Sequence, residues 1–585
     1  MSATLQRFMD CWRPQIPVAL CLALMTCGCG PSASVPSPSA TASDPRLHGS
    51  TDWFEDITGR SGVQFVHATG TNYFMPDQIG SGVVLFDCDL DDRLDLFLVQ
   101  NHPSPPQAKH QLYRQNADGT FRNASTGSGL DLATAGMGAI AGDVNNDGLP
   151  DLVLTEYGGT RLFRNQGDGR FEEVTQAAGI DNPRWAAPAS FIDFDRDGWL
   201  DLVVGNYLDY DPTQVCHDVH GRQDFCAPKV FNSTASRIWR NITGTPGAPP
   251  RFEDRTEASG LARVPGAALG LVCADFNGDH WPDIFCADDG RANRLLINRK
   301  DGTFVDEAAQ RGLALNAMGR TAANMGVVYA DFDHDGLGDL FVTHLAEEFH
   351  ALYRQDQPGL FTDIVAQAGL QQQAWRGTGF GAVHADFDAD GHADLAFVNG
   401  LVRLAVPGQK PVAAGVDPWW GRYAQRSQLF VNEGGARFRD VSPSQHVLSS
   451  EASVGRSLAV GDLNRDGAPD LVIGSIAGPL RLLRNVAPRR GNWIRVRALE
   501  PNFGRRDAIG AEIRVKAGGQ LRWALVQPAT SYLVSHDPAL HFGLGSTAEI
   551  DSVEVRWPDG SAETFAGRSA NQTLVLLHGT GTPVP

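Results

Sequence analysis

Residues 191–210 read FIDFDRDGWLDLVVGNYLDY, with carboxylates at Asp193, Asp195, Asp197 and Asp201 and an apolar, strand-like run directly after them. Alternate acids around a tight turn bring several oxygens to one point when a glycine, here Gly198, supplies the sharp bend. Such a cluster has the chemistry of an oxygen cage for a hard divalent cation; the alternative is a solvated acidic turn.

Recurrence decides between them. DCDLDDRLD begins at Asp87, DVNNDGLPD at Asp143, DFDRDGWLD at Asp193, DFNGDHWPD at Asp275, DFDHDGLGD at Asp331, DFDADGHAD at Asp386 and DLNRDGAPD at Asp462. An EF-hand loop spaces its first ligands in the same way, at positions 1, 3 and 5, with a Gly at 6 and a main-chain carbonyl at 7. Here an Asp at position 9 replaces the Glu at position 12. The candidate metal ligands at positions 1, 3, 5 and 9 are Asp87, Asp89, Asp91 and Asp95; Asp143, Asn145, Asp147 and Asp151; Asp193, Asp195, Asp197 and Asp201; and Asp275, Asn277, Asp279 and Asp283. The last three copies add Asp331, Asp333, Asp335 and Asp339; Asp386, Asp388, Asp390 and Asp394; and Asp462, Asn464, Asp466 and Asp470. Copies one and four carry Asp92 and His280 in place of the glycine at position 6, which predicts weaker binding or an adjusted backbone there.

Each copy sits in one frame. A small apolar run (GVVLF, MGVVYA, FGAVHA) precedes it and a strand (LDLFLVQN, PDLVLTEY) follows. A third segment comes next (QLYRQN, RLFRNQ, RIWRN, RLLRNV), and after a Gly-rich turn a fourth (GTFRNAST, GRFEEVT, GTFVDEA). Four short antiparallel strands per repeat describe a propeller blade. The seventh copy lacks a fourth strand, whereas WFEDITGRSG from Trp53 precedes the first, so the N-terminal strand is predicted to complete the seventh blade and leave no open edge.

These repeats resemble the FG-GAP or VCBS repeats of integrin α-subunit propellers. Beyond them NWIRVRALEP, DAIGAEIRVKAGGQ, SYLVSHDPALHFGLG and VEVRWPDGSAETF resemble the ASPIC/UnbV domain that follows such repeats in the cartilage acidic protein family and its bacterial relatives. The resemblance implies calcium at up to seven sites and an extracellular setting, and supplies no catalytic motif. The expected architecture is all-β: a signal over 1–29, a linker over 30–50, a seven-bladed propeller over 51–488 and a small β-sandwich-like domain over 489–585.

Composition agrees. The chain has 585 residues, 64 of them Gly and 34 Pro, and a formal net charge of −19, which argues against nucleic acid as a partner. Twenty-five of the candidate ligands are Asp, so seven divalent ions would bring −19 to −5. At the N-terminus Arg7 and Arg13 precede IPVALCLALM, too short to span a membrane, and then TCGCG, where Cys29 resembles a lipoprotein cleavage site; an ordinary secretory signal is the alternative. The protein is therefore expected to be exported to a bacterial envelope or secreted, touching a membrane only through a lipid on Cys29. The Pro-, Ser- and Ala-rich stretch that follows reads as a flexible tether.

Cys216 and Cys226 bracket a short insertion, and Cys273 and Cys286 lie on strands flanking the fourth loop, so two disulfides are expected, with Cys88 left as a buried thiol. Two long inserts, at about 206–232 and 400–427, follow second strands and so emerge on the face opposite the metal loops. The second carries Trp419, Trp420, Arg422, Tyr423 and Arg426, a candidate partner surface unless the two Trp cap the ring or pack against the C-terminal domain. His217 and His220 in the first are a weak transition-metal pair. Ser535, His536 and Asp537 are consecutive, and adjacency along a chain does not make a triad. The expected function is a calcium-binding adhesion or assembly scaffold for a protein or polysaccharide, with no catalytic site; the alternative is a secreted hydrolase or oxidoreductase with a pocket on the propeller.

Overall fold

The computed structural model describes residues 52–102, 108–404, 416–488 and 491–584, so the signal, the linker and Cys29 lie outside the described residues. Each repeat folds into an antiparallel sheet of sequential strands, as in Ala186–Ile192, Asp201–Asn206, Arg237–Asn241 and Phe252–Asp254. Seven sheets of this order occur among the described residues. Their first strands are Val83–Phe86, Gly136–Gly142, Ala186–Ile192, Ala268–Ala274, Val327–Ala330, Gly379–Ala385 and Gly455–Gly461. These first strands touch one another in that order and back to the first, which closes a propeller ring. The last sheet is completed by Phe54–Asp56, with Phe54 opposite Asn485 and Asp56 opposite Leu483, as the sequence predicted.

Burial explains the residue pattern. First strands such as Gly136–Gly142 are buried at every position because neighbouring sheets cover both faces, so they read as small apolar runs rather than alternating ones. Small size is needed where they converge: a Cβ on Gly326 would lie 2.0 Å from the carbonyl oxygen of Phe380 in the next sheet. Outermost strands such as Phe171–Glu173 bury one residue and expose two.

The C-terminal part is sandwich-like. One sheet is built on Asn492–Glu500, with Leu540–Gly545 on one side and Gln572–Leu577 on the other. The second runs Gln520–Leu525, Glu512–Ala517, Ser552–Arg556, Ala562–Ala566. Ile494, Val496, Ile513, Val515, Val553 and Trp557 form the core.

The link between Gln520–Leu525 and Leu540–Gly545 leaves the sandwich and enters the centre of the ring. Val534 and Ser535 pair in parallel with Val83 and Val84. The Ser531 amide donates to Val327 O at 2.6 Å, and its hydroxyl accepts from Ala382 N at 3.0 Å and donates to Leu458 O at 3.1 Å. Tyr532 is fully buried, with its ring edge-on to Phe380 at 4.9 Å between centroids and its hydroxyl donating to Ile79 O at 3.0 Å. The ring's axis is thus occupied by the chain itself, and residues 50–585 pack as one compact unit.

Candidate metal centres

The seven acidic loops connect first to second strands and share one hydrogen-bond frame. In the third loop Asp193 Oδ1 accepts from Asp197 N at 3.1 Å and Oδ2 from Gly198 N at 3.0 Å. Asp87, Asp143, Asp275, Asp331, Asp386 and Asp462 accept from the same two positions of their own loops. The bend at position 6 is left-handed in every copy: Gly198 has φ 84°, and Asp92 and His280 adopt φ 64° and 68° without a glycine. The backbone therefore keeps its shape in copies one and four, at a strain of roughly 1–2 kcal/mol each.

Position 4 is left-handed as well, occupied by Leu90, Asn146, Arg196, Gly278, His334, Ala389 and Arg465. Its residue types carry no common signal, so the sequence did not reveal it.

The position-9 aspartates open the second strands and are buried. Asp201 Oδ2 accepts from Phe194 N at 3.0 Å and Oδ1 from Asn241 N at 2.7 Å, tying the loop to the third strand. At the same height an amide side chain on the third strand reaches back to the preceding sheet's loop. Asn241 Nδ2 donates to Val144 O at 2.7 Å and Asn165 Nδ2 to Cys88 O at 2.9 Å. Gln115, Asn298, Gln355, Asn432 and Asn485 do the same to Leu463, Phe194, Phe276, Phe332 and Phe387, which completes the circle. The RN, RQ, IN and VN pairs that end the third strands were the available signal for this ring of staples.

The side chains of several loops converge. One carboxylate oxygen from each of Asp87, Asp89 and Asp91 lies within 4.8 Å of the others, and the same holds for Asp193, Asp195 and Asp197, for Asp331, Asp333 and Asp339, and for Asp386, Asp388 and Asp394. In the other three loops position 3 is an asparagine, and Asn145 Nδ2 donates to Asp147 Oδ2 at 2.8 Å, with like contacts from Asn277 to Asp279 and Asn464 to Asp466. Two position-3 oxygens, Asp89 Oδ1 and Asp195 Oδ1, are buried without a hydrogen-bond partner. The second oxygen of each meets an arginine of the third strand: Arg114 at Asp89, and Arg240 at Asp195, 2.5 Å away.

Burial, with neighbouring loop carboxylates adding to it, pushes Asp193 and Asp331 up to about 7 and Asp339 to about 8. Asp95, Asp143 and Asp462 rise to about 6, and Asp151, Asp201, Asp283, Asp386, Asp394 and Asp470 lie well above the usual carboxylate range. Desolvation and mutual repulsion outweigh the arginines nearby, so these carboxylates would gain from a further positive charge. The donors at positions 1, 3, 5 and 9 offer oxygen throughout, which suits a hard cation such as calcium, although in the first loop Cys88 Sγ also converges with Asp89 and Asp95.

The C-terminal sandwich rests on this face. A Cβ on Gly198 would lie 2.3 Å from the Phe503 ring, and one on Gly467 2.0 Å from the Trp493 ring. Position-6 glycines thus serve two purposes, the bend and the close approach of the second domain.

Other expected sites fare unevenly. Cys216 and Cys226 are disulfide-bonded. Cys273 and Cys286 are not; both are free and buried. Cys273 stands opposite Ile284 and Cys286 opposite Leu271, a two-residue offset. Such diagonal neighbours are roughly 7–8 Å apart, too far for a disulfide. Cys88 is buried, as expected, and burial pushes its thiol far up.

Trp420 and Tyr423 are withdrawn from the candidate partner surface. They are buried against Phe225 of the other insert, with Trp420 Nε1 donating to Gly70 O at 3.0 Å and Tyr423 Oη to Asp224 Oδ1 at 3.0 Å. The two inserts cap the ring together because each supplies aromatic rings that the other covers. Trp419 is half-buried beneath the Arg422 guanidinium, 4.6 Å from its ring, and Arg426 is exposed. His217 and His220 are exposed and join none of the convergent groups among the described residues. Ser535, His536 and Asp537 form no triad: Ser535 Oγ meets Ala141 N, His536 Nδ1 accepts from Val460 N, and Asp537 pairs with Arg495 at 2.8 Å.

Among the described residues no helix is long and apolar enough to cross a membrane. An FG-GAP-like repeat model matches residues 87–154, 143–204 and 275–342, an FG-GAP repeat model matches 454–478, and the ASPIC and UnbV model matches 502–583. Cartilage acidic protein 1 of Homo sapiens is 30% identical over 312 residues, covering 51% of this chain and 42% of that protein; the Mus musculus protein is also 30% identical, covering 51% and 43%. The chain thus matches less than half the length of these relatives. Among solved structures, an Agrocybe aegerita lectin that recognises non-reducing terminal N-acetylglucosamine aligns at TM-score 0.35 with 15% identity, over 70% of this chain and 90% of its own. A Burkholderia pseudomallei lectin aligns at 0.39 with 11% identity, over 70% and 97%. The chain is an all-β protein of FG-GAP repeats with a C-terminal ASPIC/UnbV domain, homologous to cartilage acidic protein 1.

Proposed function

We propose that the protein is an exported, calcium-stabilised propeller that serves as a binding or assembly scaffold for a protein or polysaccharide. The observation that carries the calcium reading is the pair of buried, partnerless oxygens, Asp89 Oδ1 and Asp195 Oδ1, each within a convergent carboxylate group. The position 1, 3, 5 and 9 side chains would hold the ion, whose double charge would add to that of the arginines already beside Asp89 and Asp195. An ion there acts as a structural ligand: it cancels repulsion between carboxylates and fixes the loops on which the second domain rests.

Export is supported by the Cys216–Cys226 disulfide, which belongs to an oxidising compartment. Recognition falls to the face of the two inserts, since the metal-loop face carries the C-terminal sandwich. Val219 at 96% exposure and the exposed Arg403 and Arg426 stand on that face.

Thermal melts in calcium, magnesium and chelator test the proposal. A site held at about 100 times its dissociation constant adds roughly 2.7 kcal/mol, so calcium raises Tm well above the chelated protein. Magnesium rescues poorly because it demands a smaller octahedral cage. Asp195→Ala reproduces part of the chelation loss. Three superimposable curves would remove the calcium reading.

A further inference from the structure

On the face away from the acidic loops, residues of both inserts and of the ring's mouth enclose a cavity of about 250 Å³. That is a little under the roughly 300–1,000 Å³ usual for drug-sized ligands, so an occupant is smaller than those. Its apolar wall includes Ile79, Leu269, Met325 and Phe380. Ile79 and Phe380 also meet Tyr532 of the axial segment that plugs the ring.

Two carboxylates stand in this wall. Asp289 lies near the far end of the strand Asp283–Arg291, opposite Ala323. Glu348 Oε2 accepts from the amide of that same Ala323 at 3.0 Å, which brings the two acids together. Asp289 is only 8% exposed, and its Oδ2 accepts from the Tyr207 hydroxyl at 2.6 Å. Its Oδ1 takes no hydrogen bond among the described residues and is open rather than sealed, so the exposure that remains is toward the cavity. Burial raises Asp289 to about 6; the Tyr207 hydroxyl and Arg403 oppose the rise, and Glu348 adds to it. An ionised carboxylate held in such a place gains from a charged donor.

Lys229 and Arg403 complete the charged lining at a different depth. Both are exposed, whereas Asp289 is buried and Glu348 half-buried. Equal numbers of the two signs favour neither a simple cation nor a simple anion. Their separation, acids within and cations at the rim, suits a molecule that carries both. An ammonium reaches inward to Asp289 and Glu348, a carboxylate faces outward to Lys229 and Arg403, and an apolar body lies on Ile79, Leu269 and Met325.

We propose that this cavity binds a free α-amino acid with an apolar side chain, ammonium end inward. The site goes beyond the scaffold role and depends on neither calcium nor a macromolecular partner.

The test is calorimetry on the full chain, at neutral pH in saturating calcium, with three probes. L-Leucine carries both charges, L-leucinamide keeps the ammonium alone, and 4-methylpentanoate keeps the carboxylate alone. Leucine binds, leucinamide binds more weakly, and methylpentanoate does not bind. Asp289→Asn keeps the side chain's size and an acceptor for Tyr207, and weakens leucine binding by about tenfold or more. Glu348→Gln keeps an acceptor for Ala323 N at a half-buried position and serves as the second variant, with affinity falling several-fold. Absence of leucine binding at ~10 mM, far above useful affinity, overturns the proposal. So does methylpentanoate binding as tightly as leucine, leucinamide binding as tightly as leucine or more so, or unchanged affinity in both variants.

Discussion

Tyr532 is the side chain on which the axial segment turns, and Tyr532→Ala measures how firmly that segment locks the ring. The ring of Tyr532 is fully buried on Phe380 and its hydroxyl holds Ile79 O. Truncating a buried aromatic to alanine costs about 3–5 kcal/mol. The lost hydrogen bond to a buried carbonyl adds about 1 kcal/mol. Residues 50–585 form one unit. At roughly 2.1 cal/mol/K per residue its unfolding entropy is on the order of 1 kcal/mol/K, so Tm falls by about 4–6 °C. Tyr532→Phe keeps the packing and loses only about 1 °C by the same conversion. Scanning calorimetry in saturating calcium reads both shifts, and limited proteolysis reads whether residues 491–584 are released earlier. If Tyr532→Ala melts with the wild type and is cleaved no faster, the axial segment is not a structural lock and this reasoning fails.

Asn241→Ala deletes one inter-sheet staple, leaving Val144 O and Leu200 O short of a donor, and should cost about 2–4 kcal/mol in a urea melt; a change under about 0.5 kcal/mol, the size of an ordinary surface substitution, would mean the staples are incidental. Acidification gives a second check, because burial lowers His67, His110, His350 and His536 to about 3. These rings fold neutral, so their contribution is complete above the unfolded value near 6.5 and is lost as pH falls towards 3. Each should cost about 1.4 kcal/mol at pH 5.5, lowering Tm in saturating calcium relative to pH 7.5, and a rise in Tm would contradict it.

Much of the ring was legible in the sequence because its logic is local. A nine-residue loop, a small apolar run before it and three strands after it repeat within reach of one another, so counting strands located the fourth partner of the seventh sheet at Phe54. The axial segment was not legible: SYLVS reads as an ordinary strand, and what makes Tyr532 buried is a contact with Ile79, 453 positions away. The expected Cys273–Cys286 bond failed for a related reason, since proximity of two strands does not fix their register. Aromatic and basic residues in the second insert suggested recognition, but composition could not show that Phe225 of the first insert covers Trp420 and Tyr423.

The strand that completes the ring is made first and waits longest. Glu55 meets Arg484 across 429 positions of chain, so until nearly the whole propeller has emerged the seventh sheet has an unpaired margin. Such a margin is a template for pairing with other chains. The axial segment, encoded later still, can dock only once the first strands surround it. Assembly is therefore ordered like a clasp and pin: the two ends of the propeller meet, and one link of the following domain enters the middle. A chain cut short before residue 485 can do neither: its seventh sheet keeps an open margin, and its first sheet lacks the pairing with Val534 and Ser535.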